Sequence, residues 1–191
     1  HQDGSPPTMG MSKFTINSSY ATNVFTGDLV KLSSSIPGTV ELSTAALNTI
    51  IPLGVFVGCE YFNTTVNRVV WSPYFPASAG SSSPVTAYVI TDPEMTYIAQ
   101  CSTTSVVGSS LQGLNIGFTS TGAGGNTTTG ISGMALLSSA IGVSGGSSYP
   151  WRVVDTYSNF APPGTNGTST DSGGGILVVQ SAGWQRNTVI I

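Results

Sequence analysis

The sequence predicts an all-β protein, and three observations support that fold class. Short stretches rich in β-branched and aromatic residues recur along the chain, with Gly, Pro and Asp turn signals between them. No segment shows convincing apolar spacing for a helix of three or more turns. Gly, Ser and Thr make up 76 of the 191 residues, whereas charged residues make up only 7%. The shortage of Glu, Lys and Arg excludes a coiled coil.

The chain begins with a segment that predicts an extended arm. Residues 1–12 are polar and contain Gly4, Pro6, Pro7 and Gly10, which is typical of irregular backbone. From Lys13 onward, apolar and polar residues alternate as in a strand. We therefore assign residues 1–19 to an N-terminal arm and residues 20–191 to a single β domain. No repeat of 20–50 residues and no domain boundary is visible in the second range.

The strands follow one another at short intervals. Residues 29–32 and 39–42 predict a hairpin around the turn Pro37-Gly38, and Ser43 could cap a short helical turn over 43–48. The strongest strand covers 52–62, where Gly54 and Gly58 indicate bulges or close backbone approach. Further strands are predicted at 66–71, 85–91, 95–101, 114–118, 131–137, 151–157, 174–180 and 184–191. Loops rich in Gly, Ser and Thr join them.

The supply of catalytic side chains argues against an enzyme. The single histidine is His1, and histidine is the commonest general base and metal ligand near neutral pH. The Gly-x-Ser-x-Gly pattern at 142–146 has no downstream histidine and no βα context, both of which a hydrolase elbow needs. We expect no catalytic residues, no metal site and no cofactor.

The charge pattern and the apolar pattern exclude two kinds of partner. Five Lys plus Arg and a net charge of −3 argue against nucleic acid, because phosphate binding needs concentrated cations. The longest apolar stretch, 50–59, is broken by Pro52, Gly54 and Gly58 and is shorter than the roughly 20 residues of a membrane span. Cys59 and Cys101 each occupy one face of a predicted strand, so we expect two buried thiols rather than a disulfide.

An aromatic cluster is the most distinctive candidate site in the sequence. Trp71, Tyr74 and Phe75 lie close together between prolines. Such residues favour a core or a protein interface, and a carbohydrate platform is the less common use. The weakly charged, hydroxyl-rich composition suits a chain that packs against copies of itself or another protein. Viral shell and appendage proteins fit this description, as do secreted lectins and adhesins.

One set of segments resembles a known family. The segments are Gly-Asp-Leu-Val at 27–30, Pro-Leu-Gly-Val-Phe-Val-Gly-Cys-Glu-Tyr at 52–61, Trp-Ser-Pro-Tyr-Phe-Pro-Ala at 71–77 and Ala-Tyr-Val-Ile-Thr-Asp-Pro at 87–93. This pattern resembles the capsid decoration, or cement, proteins of tailed bacteriophages. The resemblance covers roughly residues 26–101 well and 149–180 loosely, and the segment 102–148 has no counterpart in it.

The resemblance implies a fold, a partner and a location. It implies a small β-barrel or tulip-like sheet and homo-oligomers, commonly trimers, on the outer surface of the virion. There the chain would bind the mature capsid and bridge neighbouring major capsid proteins. Within this hypothesis Phe14, Tyr20 and Phe25 are candidate partner contacts near the arm, because aromatic anchors dominate interfaces, and Trp71, Tyr74 and Phe75 are a second set.

Two other functions stay open at this point. One is a tail, fibre or baseplate component that binds host glycans, which copy number and location on the particle would distinguish from a decoration protein. The other is a secreted lectin-like or carbohydrate-active β module. The aromatic cluster would then form a sugar platform, and two of the eight carboxylates could face each other across a sugar.

Overall fold

A computed structural model describes residues 10–17, 19–43, 52–77, 85–101, 111–119, 124–142, 149–156 and 176–181. The chain divides into two compact units. The first contains residues 1–43, 52–92 and 124–133, and the second contains 44–51, 93–123 and 134–191. Every named element of regular structure within the described residues is a β-strand, so the predicted all-β class is confirmed.

The described residues of the first unit form eight strands: β1 (Met11–Ile16), β2 (Val24–Phe25), β3 (Leu29–Leu32), β4 (Val40–Leu42), β5 (Gly54–Asn63), β6 (Arg68–Ser72), β7 (Tyr74–Phe75) and β8 (Val85–Ile90). Six of them form one antiparallel sheet, in which five strands follow the order β1-β8-β5-β3-β4 and β6 pairs with β5 beside that path. A parallel bridge between Thr15 and Thr39 joins the two outer strands. The sheet therefore curls into a small barrel.

The core of this barrel is built from alternating apolar positions of its strands. Strand β5 lies at the centre and contributes Phe56 and Cys59, both fully buried. A bulge between Phe56 and Gly58 interrupts the β5–β8 register, as the glycines inside the predicted strand indicated. The other members of the core are Ile16, Val24, Val30, Val40, Phe75, Val85, Ala87 and Val89.

A distant segment completes the first unit. Residues 124–133, which we call the strap, pack against the turn that leads into β3. The Ser132 amide donates to the Thr26 carbonyl (2.9 Å), and the Thr26 amide donates to the Gly130 carbonyl (2.9 Å). The Ser132 hydroxyl donates to the buried carboxylate of Asp28. The strap is thus held by backbone and side-chain bonds.

The second unit contains the strands β9 (Thr96–Gln100), β10 (Asn115–Phe118), β11 (Leu136–Gly142), β12 (Trp151–Thr156) and β13 (Ile176–Ser181). They form one antiparallel sheet in the order β11-β10-β12-β13-β9. A parallel bridge between Cys101 and Leu136 joins its outer edges. This sheet also curls until its two edges meet.

The two units share one topology. If the five barrel strands of each unit are lettered a to e in chain order, both sheets read a-e-d-b-c, and a parallel bridge joins c to a. Strands β1, β3, β4, β5 and β8 therefore correspond to β9, β10, β11, β12 and β13. The second barrel repeats the first, although no repeat is visible in the sequence.

Local details of the two barrels agree as well. A turn precedes strand b in each, closed by an amide-to-carbonyl bond from Asp28 to Phe25 (2.9 Å) and from Leu114 to Leu111 (3.1 Å). Its third residue is a glycine with positive φ, 99° at Gly27 and 81° at Gly113, a conformation that side chains disfavour.

Each of these turns is bonded in the same way to strand d. The Gly27 amide donates to the Phe56 carbonyl (2.8 Å), and the Gly113 amide donates to the Val153 carbonyl (2.9 Å). In both units strand d has a bulge directly after this residue. Phe56 and Val153 therefore occupy equivalent positions, which supports the assignment of one barrel as a copy of the other.

The structure also locates the other sequence predictions. Within the predicted arm, residues 11–16 form β1 in the first unit, and residues 1–9 lie outside the described residues. The single β domain assigned to 20–191 contains residues of both units. The strand predicted at 131–137 lies at Leu136–Gly142 instead, because Asn126 to Ile131 form a turn in which the Gly130 amide donates to the Asn126 carbonyl (2.7 Å). The proposed helical turn after Ser43 and the strand at 184–191 lie outside the described residues.

Candidate functional site

Phe14 and Tyr20, the candidates nearest the N-terminus, pack on the first barrel. Both are half-buried against its core. The Tyr20 ring stacks on Phe75 with 6.3 Å between centroids, and its hydroxyl accepts a hydrogen bond from the Leu42 amide (3.1 Å). These two side chains already have partners within their own unit.

Phe25, Tyr74 and Phe75 form a second aromatic group around the short β2–β7 ribbon. Phe25 and Phe75 are buried, and Tyr74 stacks on Phe25 at 5.4 Å with an interplanar angle of 16°. The strap covers Phe25 so closely that a Cβ on Gly125 would overlap the Phe25 ring. The structure thus brings five of the six candidates into contacts within the first unit.

Trp71 is the candidate whose side chain reaches the surface. It lies on β6 and is 58% exposed. Its indole lies over Gly58 on the paired strand β5, where a Cβ would stand 2.7 Å from a ring carbon. Glycine at 58 therefore allows the ring to rest against the backbone, while most of the indole faces outward.

Trp71 belongs to a larger apolar surface on the β5–β6 hairpin. Val69 lies two residues away on the same face of β6 and is 64% exposed, and its cross-strand partner is the half-buried Phe62. Val66, in the hairpin turn, is half exposed. We call Phe62, Val66, Val69 and Trp71 the hairpin face. Exposed apolar side chains gathered in this way mark interaction sites.

Sequence reasoning identified Trp71 but missed the two valines. Residues 66–71 read as an ordinary strand, whose apolar residues are expected to face a core. The signal was the run Val69-Val70-Trp71, which places apolar residues on both faces of one strand. A strand with only one face toward the core must expose part of such a run.

Few charges accompany the hairpin face. Glu60 is the cross-strand partner of Trp71, and Arg68 pairs with Asn63 at the turn end of the hairpin. The turn itself is ordered by the Asn63 side chain, whose Oδ1 accepts the Thr65 amide (2.9 Å). The surface is therefore suited to an apolar contact with little charge to desolvate.

The two cysteine thiols lie in surroundings that lower their reactivity. Cys59 and Cys101 are both free and buried, as the sequence predicted. Burial raises the pKa of Cys59 to about 12 and that of Cys101 to about 11. Because the thiolate is the reactive form of cysteine, the raised pKa disfavours nucleophilic chemistry at either side chain near neutral pH.

Asp28 is a buried carboxylate with a structural use. Its side chain accepts the Phe25 amide (2.7 Å) and the Ser132 hydroxyl. Burial raises the pKa of Asp28 above its ordinary value of 3.8, and the two hydrogen bonds oppose that rise. The residue joins the turn before β3 to the strap.

An open groove of about 230 Å³ lies beside the β3–β4 connection, and its lining mixes small polar side chains with Tyr20, Ala21, Ile36 and Val40. Glu41, at its edge, forms an ion pair with Lys31 at 3.0 Å. Within the described ranges no three His, Cys, Asp or Glu side chains gather as metal ligands. The described part of the chain also contains no helix long and apolar enough to span a membrane.

The strongest candidate site is therefore the hairpin face, an exposed apolar surface. Comparison with known proteins adds no family to this description: no family model, no curated protein and no solved structure matches the chain.

Proposed function

We propose that this chain is a structural protein of a bacteriophage particle, which decorates the outer surface of the mature capsid. It binds neighbouring major capsid proteins and stabilises the shell by bridging them. Copies of the chain also associate with one another. The role is mechanical, and it uses no catalytic residue, cofactor, nucleic acid or membrane.

The observation that carries this proposal is the hairpin face. A tryptophan and two valines, each at least half exposed, stand on the β5–β6 hairpin of the first unit. Aromatic side chains in the centre of an apolar patch supply most of the binding energy of protein interfaces. The resemblance of residues 26–101 to decoration proteins includes this hairpin.

In the proposed mechanism, the shell is stabilised by the interface area that each bound copy buries, summed over all copies on the particle. A stable protein contact buries about 1,600 Å² in total, and each bound copy would add such a contact across a seam of the shell. Because a ligand stabilises the state that it binds, binding only to the expanded shell would favour that state. The shell would then resist internal pressure better than an undecorated one.

The first test is the number of copies per particle. The chain is quantified in purified virions by mass spectrometry against the major capsid protein. A ratio near one, or a fixed large fraction of one, is expected for a shell component. A few copies per particle, or complete absence, would contradict the proposal.

The second test addresses the hairpin face directly. Trp71→Ala is expected to weaken binding to undecorated expanded heads by about 30-fold, since a central aromatic anchor contributes at least ~2 kcal/mol. The matched control is Ile98→Ala, because Ile98 is equally exposed (59%) on a strand of the second barrel. Equal occupancy of heads by wild type and Trp71→Ala would remove the hairpin face from the contact.

One observation favours a second function. The Trp71 indole, held over Gly58 with its outer side free, has the form of a platform on which a sugar ring stacks. A tail or fibre component that binds host glycans would use it in this way. In that case purified protein binds cell-surface polysaccharide, Trp71→Ala abolishes the binding, and the copy number is low.

A further inference from the structure

The turn before β3 is a binding site for an extended segment. Thr26, the second residue of that turn, bonds to the strap through both of its backbone groups: its amide donates to the Gly130 carbonyl and its carbonyl accepts the Ser132 amide, each at 2.9 Å. The same amide also donates to the Pro73 carbonyl (3.1 Å). Thr26 and Ile131 accordingly form a parallel bridge. This is recognition of one backbone by another, as when a peptide adds to a sheet edge.

The second barrel has the same turn, from Leu111 to Leu114. Gln112 occupies the position of Thr26 and is exposed. No described residue bonds to the backbone amide or carbonyl of Gln112. A Cβ at Gly27 would touch Ser132 of the strap at 3.4 Å, whereas a Cβ at Gly113 meets no described atom within 4 Å. The equivalent site on the second barrel is open in this part of the structure.

The duplication also indicates what could cover the open turn. The strap belongs to the connection between strands b and c of the second barrel, β10 and β11. The same connection in the first barrel is the loop 33–39 between β3 and β4, and its Ile36 is 42% exposed. Ile131 of the strap is likewise exposed. The two loops are equivalent in topology, but among the described residues only the strap is bonded to such a turn.

We propose that copies of the chain associate head to tail, with the 33–39 loop of one copy bound along the Gln112 turn of the next. This specifies the self-association that the proposed function includes. Residues 33–39 and 111–114 contain no charged side chain, and at the turn itself the Gln112 side chain donates to the Asp155 carboxylate (2.9 Å). Pro37 has no backbone amide, so the loop offers the Ser34 carbonyl and the Ile36 amide as the pair that corresponds to the Gly130 carbonyl and the Ser132 amide. Because it joins two different surfaces, the contact is heterologous and generates a closed ring or an open chain rather than a two-fold dimer.

The test uses two variants at one position. Gln112→Pro removes the backbone amide that would donate to the bound loop, but it suits the turn, because proline is favoured at the second position when glycine with positive φ is third. Gln112→Ala keeps the amide and removes the side chain together with its hydrogen bond to Asp155 (2.9 Å), a bond that Gln112→Pro also lacks. Light scattering is used to measure the mass of the purified full-length chain over a concentration series.

The expected result is an oligomeric wild type, an unchanged Gln112→Ala variant and a Gln112→Pro variant whose self-dissociation constant rises at least about tenfold. Circular dichroism and thermal unfolding confirm that both variants fold. A monomeric wild type, or a Gln112→Pro variant with the wild-type mass, would overturn the proposal.

A mixing experiment tests the asymmetry of the contact. Ile36→Asp damages the loop and leaves the Gln112 turn intact, whereas Gln112→Pro does the reverse. Each variant alone should be monomeric, and their mixture should form a 1:1 heterodimer through the one intact pair of surfaces. Monomers only in the mixture would exclude the head-to-tail contact. Binding to phage heads is measured in a separate experiment. A wild-type chain that is monomeric but still decorates heads would contradict this inference and leave the proposed function intact.

Discussion

The bond between Ser132 and Asp28 should make the stability of the first unit depend on pH in a defined way. Asp28 is 1% exposed, so water cannot replace a lost partner. Ser132→Ala leaves the carboxylate with the Phe25 amide, at 2.7 Å, as its hydrogen-bond partner among the described residues. Loss of a hydrogen bond to a buried charged group costs about 2–3 kcal/mol, against about 1 kcal/mol for a neutral one.

The sign of the pH effect follows from the raised pKa of Asp28. The folded state keeps its proton at pH values where the unfolded state has lost it, so the free energy of unfolding decreases as pH rises from 3.8 through the folded pKa. Ser132→Ala removes a bond that favours the charged form and raises the folded pKa further. The destabilisation should therefore be small in acid and reach its full size near neutral pH.

The assay is urea denaturation of wild type and variant between about pH 3 and about pH 8. The control is Ser12→Ala, which removes a neutral hydroxyl pair with Thr91 at 3.1 Å and should cost the same at every pH. If the cost of Ser132→Ala is equally independent of pH, then Asp28 is not the charged partner and the reasoning fails.

Three further substitutions test the packing. Phe56→Ala, at a fully buried position, should lower the free energy of unfolding by about 3–5 kcal/mol in urea denaturation, and a loss below about 1 kcal/mol would contradict its central place in the core. Gly125→Ala should cost about 1–3 kcal/mol, because its methyl group would overlap Phe25; Gly124→Ala, whose Cβ meets no described atom within 4 Å, is the control. Lys31→Ala should lower the free energy of unfolding by less than about 1 kcal/mol, since its ion pair with Glu41 is partly exposed. A larger loss of stability in thermal unfolding would contradict this expectation.

Local chemistry predicted much of this fold. The hairpin around Gly38 and the strands at 52–62, 85–91 and 151–157 are present within one or two residues of the predicted bounds, because alternation and turn residues act over a few positions. The bulge near Gly58 could also be predicted, since glycine inside a strand marks a bulge or a close approach of other groups to the backbone.

The closure of each barrel and the duplication of the barrel fold could not be predicted from the sequence. Which edges meet depends on pairs such as Thr15 with Thr39, and no local pattern encodes them. The two barrels keep the same backbone bonds with different side chains: Asp28 corresponds to Leu114, and Gly58 corresponds to Asp155 at the bulge. Backbone hydrogen bonds place little demand on residue type, so the repeat survives in the structure where the sequence no longer shows it.

The sequence predicted which residue types would form the candidate site, but it did not predict which of those side chains would be exposed. Six aromatics were reasonable anchors, but the sequence does not say that the strap covers Phe25 or that Tyr20 stacks on Phe75. Trp71 stands out only once Gly58 is seen beneath its ring. Burial depends on segments far away along the chain.

The strand order has a consequence for how the chain is made. In each barrel the first strand pairs with the last: β1 with β8, and β9 with β13. During synthesis the first barrel cannot close before Ile90 has left the ribosome, and the second must wait for Ser181. Such long-range pairing slows folding and leaves strand edges open in the meantime. A chain shortened before Ile176 would lack the strand that joins β9 to β12, so its C-terminal end decides whether the second barrel forms at all.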